Sequence, residues 1–235
     1  MSGLLTPLEI EALRLSLLIA FWAVLGGLPA AIALAWLLAR HRFPGRALLD
    51  GIVHLPLVLP PVVVGYGLLV VLGRRGLIGQ WLHDALGITL AFTWEGAAIA
   101  SAVMALPLMV RAIRLSIEAV DRGLEAAAST LGASRTSVFF TITLPLALPG
   151  VLIGVVLGFA RSLGEFGATI TFAGNIPGQT RTLANAIYAI TQVPDSDAAA
   201  GRLCLISIVL SLAALLVSEV LARRLGQRLQ GRTRA

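Results

Sequence analysis

The chain has 235 residues, of which 57% are hydrophobic and 13% are charged, whereas a soluble globular domain carries about 25% charged residues. This composition excludes a water-soluble globular protein and indicates that much of the surface faces lipid. The formal net charge is +6 and all 18 basic residues are arginines, so the lysine that a P-loop or a Schiff base requires is missing, and the chain cannot be a P-loop ATPase by itself.

The chain contains about five apolar stretches that can cross a bilayer as helices, which takes about 20 residues each. They predict membrane spans at 15–39, 52–72, 96–113, 146–170 and 203–221. The first stretch is too long for a cleaved signal peptide, and its leader carries Glu9 and Glu11. The sequence therefore predicts an all-α, polytopic helical membrane protein in which residues 1–235 form a single transmembrane domain.

The arginines are unevenly distributed between these spans. The turn 40–46 holds three, the segment 111–145 holds four and the tail 223–234 holds five, which makes twelve of the 18. Arginine-rich segments stay preferentially in the cytoplasm, so we expect the N-terminus outside and the C-terminus inside. The same bias explains the net charge, and we expect no nucleic acid as a partner.

Two stretches differ from simple spans. Pro56, Pro60 and Pro61 fall near the start of span 52–72 and predict a kink there, because proline lacks the N–H that a helix needs. The stretch 76–94 is mixed in polarity and contains Trp81. It predicts an interfacial segment with its tryptophan at headgroup depth.

The cytoplasmic segment 118–145 is polar and rich in small residues, although apolar sequence flanks it on both sides. It contains the helix-forming run Glu125-Ala126-Ala127-Ala128, is interrupted at Gly132 and ends at Leu144-Pro145. This pattern predicts a short surface helix that another protein grips.

The spacing in this segment resembles the cytoplasmic loop of ABC importer permeases. In that family, Glu-Ala-Ala is followed by three residues, a glycine, nine residues and Ile-x-Leu-Pro. Here Gly132 is followed by nine residues and then by Ile142-Thr143-Leu144-Pro145, but Ala126 stands where the glutamate belongs and Glu125 lies one residue early. The resemblance implies a type I ABC importer permease fold. It also implies an ATPase-coupling set made of Glu125, Ala126, Ala127, Ala128, Gly132, Ala133 and Ser134.

Two further stretches narrow the resemblance to molybdate importer permeases. Residues 55–66 read LPLVLPPVVVGY and residues 161–170 read RSLGEFGATI. Sulfate permeases share the GEFG part, so residues 55–66 favour molybdate, with tungstate as a companion substrate.

This resemblance implies the partners as well as the cargo. It implies a permease homodimer in the bacterial cytoplasmic (inner) membrane and two ATP-binding subunits, which bind the ATP and Mg. It also implies a periplasmic or extracellular molybdate-binding protein, for which 174–193 is a candidate docking region. No cofactor is expected on this chain.

Arg161 and Glu165 lie at i, i+4 within the predicted span 146–170, where ionisable side chains are costly and face the bundle interior or water. One interpretation places them in the translocation path, with Ser162, Thr169 and Thr171 offering hydroxyls to a dianion. The other makes them a structural ion pair that fixes helix packing or the dimer interface. The sequence leaves both open.

No carboxylate pair, nucleophile triad or metal-ligand spacing stands out, so we predict neither a catalytic site nor a metal site. The expected function is molybdate transport driven by ATP hydrolysis on a separate subunit. One alternative is a sulfate or thiosulfate permease of the same class. The other is an ATP-independent channel or carrier.

Overall fold

The computed structural model describes residues 6–231, and from residue 215 onward it describes side chains only at 216 and 217. Every regular element in this range is helical, which confirms the all-α prediction. A π-helical turn at Phe139–Thr143 accompanies the α-helices, which are α1 (Pro7–Arg40), α2 (Arg46–Val58), α3 (Pro61–Leu72), α4 (Leu77–Leu86), α5 (Trp94–Glu118), α6 (Arg122–Thr130), α7 (Arg135–Val138), α8 (Leu144–Leu146), α9 (Leu148–Leu163), α10 (Gly167–Phe172), α11 (Leu183–Thr191) and α12 (Asp197–Gly231). The predicted basic tail includes Arg232 and Arg234, which lie outside the described residues.

Three helices are long and apolar enough to cross a membrane, namely α1, α5 and the part of α12 at Asp197–Ala214. Two further spans arise if each of two bent pairs counts as one, α2 with α3 and Arg135–Leu146 with α9. The described residues thus hold up to five spans, which confirms the predicted multi-pass helical architecture. The positions of the bilayer boundaries along these helices stay a prediction.

α1 begins at a complete capping box. Thr6 accepts a hydrogen bond from the Glu9 backbone N–H at 3.4 Å, and the Glu9 carboxylate accepts one from the Thr6 N–H at 2.7 Å. Pro7 follows at the first helical position, where a missing N–H is harmless. From there α1 runs for 34 residues, a length of about 50 Å, and so it joins the two ends of the molecule.

The proline cluster turns the chain more sharply than a kink would. α2 and α3 are bent by 116° relative to each other. Pro60 and Pro61 both lack the N–H that would continue α2, and a residue before proline is pushed out of the helical region. Leu59 and Pro60 are accordingly extended, with ψ of 143° and 131°. α3 therefore folds back instead of prolonging α2.

The stretch predicted as one span at 146–170 contains two breaks. Ala147 separates the helical stretch Arg135–Leu146 from α9 with a bend of 69°, and α9 ends before Gly164. α10 starts where the Glu165 carboxylate accepts a hydrogen bond from the Ala168 N–H at 2.8 Å. A side chain thus satisfies a backbone donor at the start of the new helix.

Contacts between residues that are distant in sequence define two ends of the bundle. Arg40 contacts Glu125 at one end, which we call the coupling end. Glu9 contacts Arg202 at the other, which we call the far end. The turn after α1 and the predicted coupling segment therefore lie together, and the length of α1 separates them from the contact of Glu9 with Arg202.

The core lies where α1, α5 and α9 pack together, and glycines on α9 let it approach α5 closely. A Cβ atom added at Gly150 would overlap the Ser116 side chain, and one added at Gly158 would lie 2.8 Å from the Met109 side chain. Small residues allow membrane helices to approach closely enough for good van der Waals packing. The α5–α9 contact is therefore rigid and intolerant of added volume.

Gly150→Ala is expected to lower stability by about 1–3 kcal/mol, because the added methyl group forces α9 away from α5. Gly26→Ala is the matched control, since nothing lies within 4 Å of the Cβ position at Gly26 in α1 and alanine favours a helix. Thermal unfolding of the detergent-purified chain measures both variants. The Gly150 variant should melt lower and the Gly26 variant should not; equal melting temperatures would contradict the packing argument.

Candidate functional site

The coupling segment 118–145 contains the short helices α6 and α7, which are joined by a tight turn, and the π-helical turn that follows them. The Asp121 carboxylate caps the start of α6. Gly132 ends that helix in the left-handed conformation, with φ of 89°, which glycine adopts without strain. The Ser134 hydroxyl accepts a hydrogen bond from the Ser137 N–H at 3.2 Å and so starts α7.

The exposed tip of this segment is apolar. Leu131 is 89% exposed and Leu124 is 50% exposed, and the exposed Ala127 lies between them. Spaced at i, i+3 and i+7, the three share one face of the segment, and neighbouring exposed apolar side chains mark a protein contact. Neither leucine is among the predicted coupling residues, although their spacing within a polar segment is readable in the sequence. Of the other predicted coupling residues, Ala126, Gly132 and Ser134 are exposed, and Ala128 and Ala133 are partly exposed.

Glu125 points away from this tip. Arg40, the last residue of α1, donates to Glu125 Oε1 from Nε at 3.2 Å and from Nη2 at 3.0 Å, and the Thr143 hydroxyl donates to the same oxygen at 2.6 Å. Arg40 Nη2 also donates to the Val120 carbonyl at 3.1 Å. We call Arg40, Val120, Glu125 and Thr143 the Arg40 junction.

The Arg40 junction ties together α1, the end of α5, α6 and the π-helical turn. The side chains of Arg40 and Glu125 are only 9% and 18% exposed, so separating them would leave a poorly hydrated charge without a partner. The coupling segment therefore moves with α1 rather than independently of it. A role of Glu125 in contacting an ATPase stays a prediction, since its carboxylate is already bound within the chain.

An open cleft of about 420 Å³ lies beside the Arg40 junction. Among its walls are Arg122 and Arg135, and Trp36 packs edge to face on Phe139 with ring centroids 5.3 Å apart. Phe139 opens the π-helical turn, and a π-helical turn followed by Pro145 interrupts the regular hydrogen-bond ladder of a helix. The chain is therefore weakest against bending between α7 and α9.

A second charged cluster lies at the coupling end, between α2 and α5. Arg114 donates to Glu118 at 2.8 Å and to Asp50 at 3.1 Å. A ring nitrogen of His54 lies 2.8 Å from the Asp50 carbonyl oxygen. The i, i+4 pair of Arg114 and Glu118 is readable in the sequence, but the contribution of Asp50 is not. This cluster fixes α2 against α5.

The two ionisable residues of the predicted translocation path form an ion pair. Arg161 Nη1 lies 2.6 Å from Glu165 Oε2, and the other carboxylate oxygen accepts from the Ala168 N–H. The Glu165 side chain is 1% exposed and that of Arg161 is 25% exposed. Glu165 is therefore a fixed group at the break between α9 and α10, whereas the guanidinium of Arg161 has further N–H donors that another anion could use.

The three predicted hydroxyl residues are placed differently. Ser162 is buried, and its oxygen has no hydrogen-bond partner within the described residues. Thr169 is buried and donates to the Phe166 carbonyl at 2.9 Å. Thr171 is partly exposed and donates to the Gly167 carbonyl at 2.8 Å. Only Thr171 thus presents a hydroxyl near the surface, and the role of all three in a path stays a prediction.

The arrangement is suited to recognition and movement. Within the described part of the chain, no three His, Cys, Asp or Glu side chains are grouped so that they could hold a metal ion. The carboxylates at the three polar sites above are each held by an arginine. The coupling end presents an apolar tip to a partner, and the Arg40 junction connects that tip rigidly to the long helices.

Comparisons with known proteins agree with this arrangement. The family described as binding-protein-dependent transport system inner membrane component matches residues 27–231. The chain is 62% identical over 220 residues to the molybdenum transport system permease protein ModB of Escherichia coli strain K12, covering 94% of this chain and 96% of that protein. It is 37% identical over 227 residues to the sulfate transport system permease protein CysT of the same strain, covering 96% and 80%. Its fold matches a chain of a bacterial ABC transporter involved in the import of the acidic polysaccharide alginate, with a TM-score of 0.73 at 20% identity over 94% of this chain and 80% of that one.

Arg40→Gln is expected to loosen the coupling segment, because Glu125 loses its charged donor. A loss of about 2 kcal/mol in the free energy of local opening corresponds to about 30-fold faster cleavage by a protease that acts on the opened state. Trypsin cuts after arginine, so limited proteolysis at the exposed Arg122 and Arg135 measures the effect. Arg42→Gln, at an exposed position in the turn after α1, is the control and should leave the rate unchanged. Unaltered cleavage of the Arg40 variant would show that the junction does not hold the segment.

Proposed function

The chain belongs to the family of binding-protein-dependent transport system inner membrane components, and from this premise we propose that it is the permease subunit of an ABC importer for molybdate. ATP hydrolysis on separate subunits drives the transport, and the chain itself is not an enzyme. The observation that carries the proposal is the identity to ModB along nearly the whole chain, which well exceeds the identity to CysT. Tungstate, a dianion of the same shape, is the expected companion substrate.

The protein is a multi-pass inner-membrane protein, and we orient it with the coupling end in the cytoplasm. Two arginine-rich segments, 40–46 and 111–145, meet at this end through the Arg40 junction. The positive-inside bias favours the cytoplasmic side for both arginine-rich segments. The N-terminus then lies outside, and α12 carries the C-terminus back to the cytoplasm.

The ATPase subunit grips the tip formed by Leu124, Ala127 and Leu131. The small side chains around the leucines permit close approach, and the leucines supply apolar area for the contact. When ATP closes the ATPase dimer, the tip moves and the Arg40 junction makes α1 and the end of α5 follow it. α9 follows through its close packing against α5, and the π-helical turn and the bend at Ala147 absorb the difference in movement.

The working assembly contains two copies of this chain around a central path, and two ATP-binding subunits that hold the ATP and Mg. One copy leaves apolar side chains of α3 exposed, among them Val62, Tyr66 and Val70, which supports a second copy beside it. An external molybdate-binding protein delivers the cargo to the far end. Residues 174–193 form its docking region, where Tyr188 and Val193 are exposed.

Within the path, Arg161 is the contact for the dianion. Glu165 holds the guanidinium in place from one side, and the quarter-exposed Arg161 side chain offers its remaining N–H groups to the cargo. Of the three predicted hydroxyl residues, Thr171 is best placed to contact the dianion together with Arg161, because Ser162 and Thr169 are buried within the chain.

Reconstitution into proteoliposomes tests the proposed function. With the ATPase subunit, the delivery protein and ATP present, molybdate uptake is expected; tungstate should compete with it, and excess sulfate should not. Leu131→Asp should abolish both copurification of the ATPase and uptake, because a carboxylate cannot enter an apolar contact without a partner. Val193→Asp, at the far end, should leave copurification unchanged. Uptake that persists without the ATPase would favour a channel or carrier instead.

The role of Arg161 is tested by a pair of variants. Arg161→Gln is expected to lower uptake about 30-fold or more, because a desolvated contact to the dianion is lost. In the double variant Arg161→Gln/Glu165→Gln, no unpaired charge remains and glutamine still offers an acceptor to the Ala168 N–H. If Arg161 contacts cargo, the double variant assembles normally and uptake stays low. Recovery of uptake together with assembly would assign the pair a purely structural role.

A further inference from the structure

α4 is a short helix that is folded tightly over the end of α3. The chain turns at 73–76, and a Cβ atom added at Gly79 would collide with the carbonyl oxygens of Leu72 and Gly73. α4 is therefore held against α3 through its glycine side, and its other faces are free to meet something else.

The residues of α4 divide into two faces. The exposed apolar side chains are Leu77, Ile78, Trp81 and Leu86, of which Leu77 is 91% and Trp81 62% exposed. At 100° per residue, Leu77, Ile78 and Trp81 lie within about a third of the helix circumference. Leu86 extends this apolar arc to about half of the circumference, and His83, Gln80 and Asp84 share the remaining arc, with Asp84 next to Leu77. A helix with this division and with an exposed tryptophan is typical of one that lies in the plane of a membrane interface.

Two arginines stand beside the polar face of α4. Arg74 and Arg75 line an open pocket of about 340 Å³ together with Gln80, His83 and Asp84. Arg74 Nη2 lies 3.4 Å from His83 Nε2, and His83 Nδ1 lies 3.2 Å from the Thr89 hydroxyl. With two guanidinium groups against one carboxylate, the pocket carries a net positive charge. Guanidinium groups match the oxygens of a phosphate bidentately.

The position of α4 in the fold fits a membrane surface. Leu72, at the end of α3, packs in one cluster with Leu90 and the buried Phe172, and the Phe92 N–H donates to the Phe172 carbonyl at 3.2 Å. α4 therefore lies on the side of the bundle where α5 begins, remote from the coupling segment at the end of α5.

We propose that α4 is an interfacial anchor: its apolar face lies among the acyl chains and Arg74 and Arg75 bind the phosphate of an anionic phospholipid. A second copy of the chain is the less suitable occupant of this face, because an isologous interface would include Arg74 and Arg75 of both copies and the centre of a subunit interface is poor in charge. The anchor ties the outer end of α3 to the leaflet, and this inference does not depend on the identity of the cargo.

Spin labels on the purified complex in lipid nanodiscs test the anchor. Cys204, the single cysteine, is replaced by serine, and a nitroxide is attached at Ile78→Cys on the apolar face or at Gln80→Cys on the polar face. The Ile78 label is expected to be more accessible to oxygen than to a water-soluble nickel chelate, and the Gln80 label should show the reverse. Equal access of nickel to both labels, or spin–spin coupling between two Ile78 labels, would overturn the proposal.

The phosphate contact is tested by the lipid composition around the complex. Nanodiscs of phosphatidylcholine with phosphatidylglycerol should yield complex enriched in copurified phosphatidylglycerol, and Arg74→Gln/Arg75→Gln should lower this enrichment at least threefold. Arg122→Gln, at an exposed position of the coupling segment, is the matched control and should retain it. Added free molybdate or phosphate should not displace the lipid. Displacement of the lipid by either anion would show that the pocket binds a free oxyanion instead. Unchanged lipid enrichment in the double variant would show that the two arginines do not bind the lipid.

Discussion

The guanidinium of Arg40 is the constraint on which the coupling end depends. It stands at the last turn of the longest helix of the core, and a charge with so little access to water has to be paired and hydrogen-bonded there. Its acceptors come from the end of α5 and from Glu125 in α6, and Thr143 completes the shell of that carboxylate. One side chain thus makes four separate parts of the chain into a single mechanical unit.

Rigid contacts and breaks alternate along the path from that unit to the middle of the bundle. The glycines of α9 hold it against α5 without space for adjustment, so these two helices move as one body. The regular ladder is interrupted at Pro60, at Ala147 and at Gly164. Movement imposed on the tip is therefore concentrated at a few backbone positions, since close-packed cores do not deform continuously.

The sequence predicted the helical architecture because hydrophobic runs can be recognised without a fold, and it predicted the class because the spacing from Gly132 to Pro145 resembles that of a known family. It predicted a kink at the prolines but not a reversal, since the angle depends on how α3 packs against α10. The division of 146–170 could not be predicted, because it rests on a carboxylate that serves both Arg161 and the Ala168 N–H. The inward orientation of Glu125 likewise depends on Arg40, which lies 85 residues away in the chain.

The pairing of Arg161 with Glu165 bears on how a permease handles a dianion. A lone guanidinium in a low-dielectric path would bind a doubly charged anion too strongly to release it, whereas conduction needs sites that are favourable enough to enter and weak enough to leave. Glu165 is buried and its second oxygen is held by the backbone, so it cannot withdraw when cargo arrives. Any anion at Arg161 therefore competes with a fixed carboxylate and is held weakly. If Arg161 lines the proposed path, that path discriminates poorly by affinity, and we expect the delivery protein to select among oxyanions.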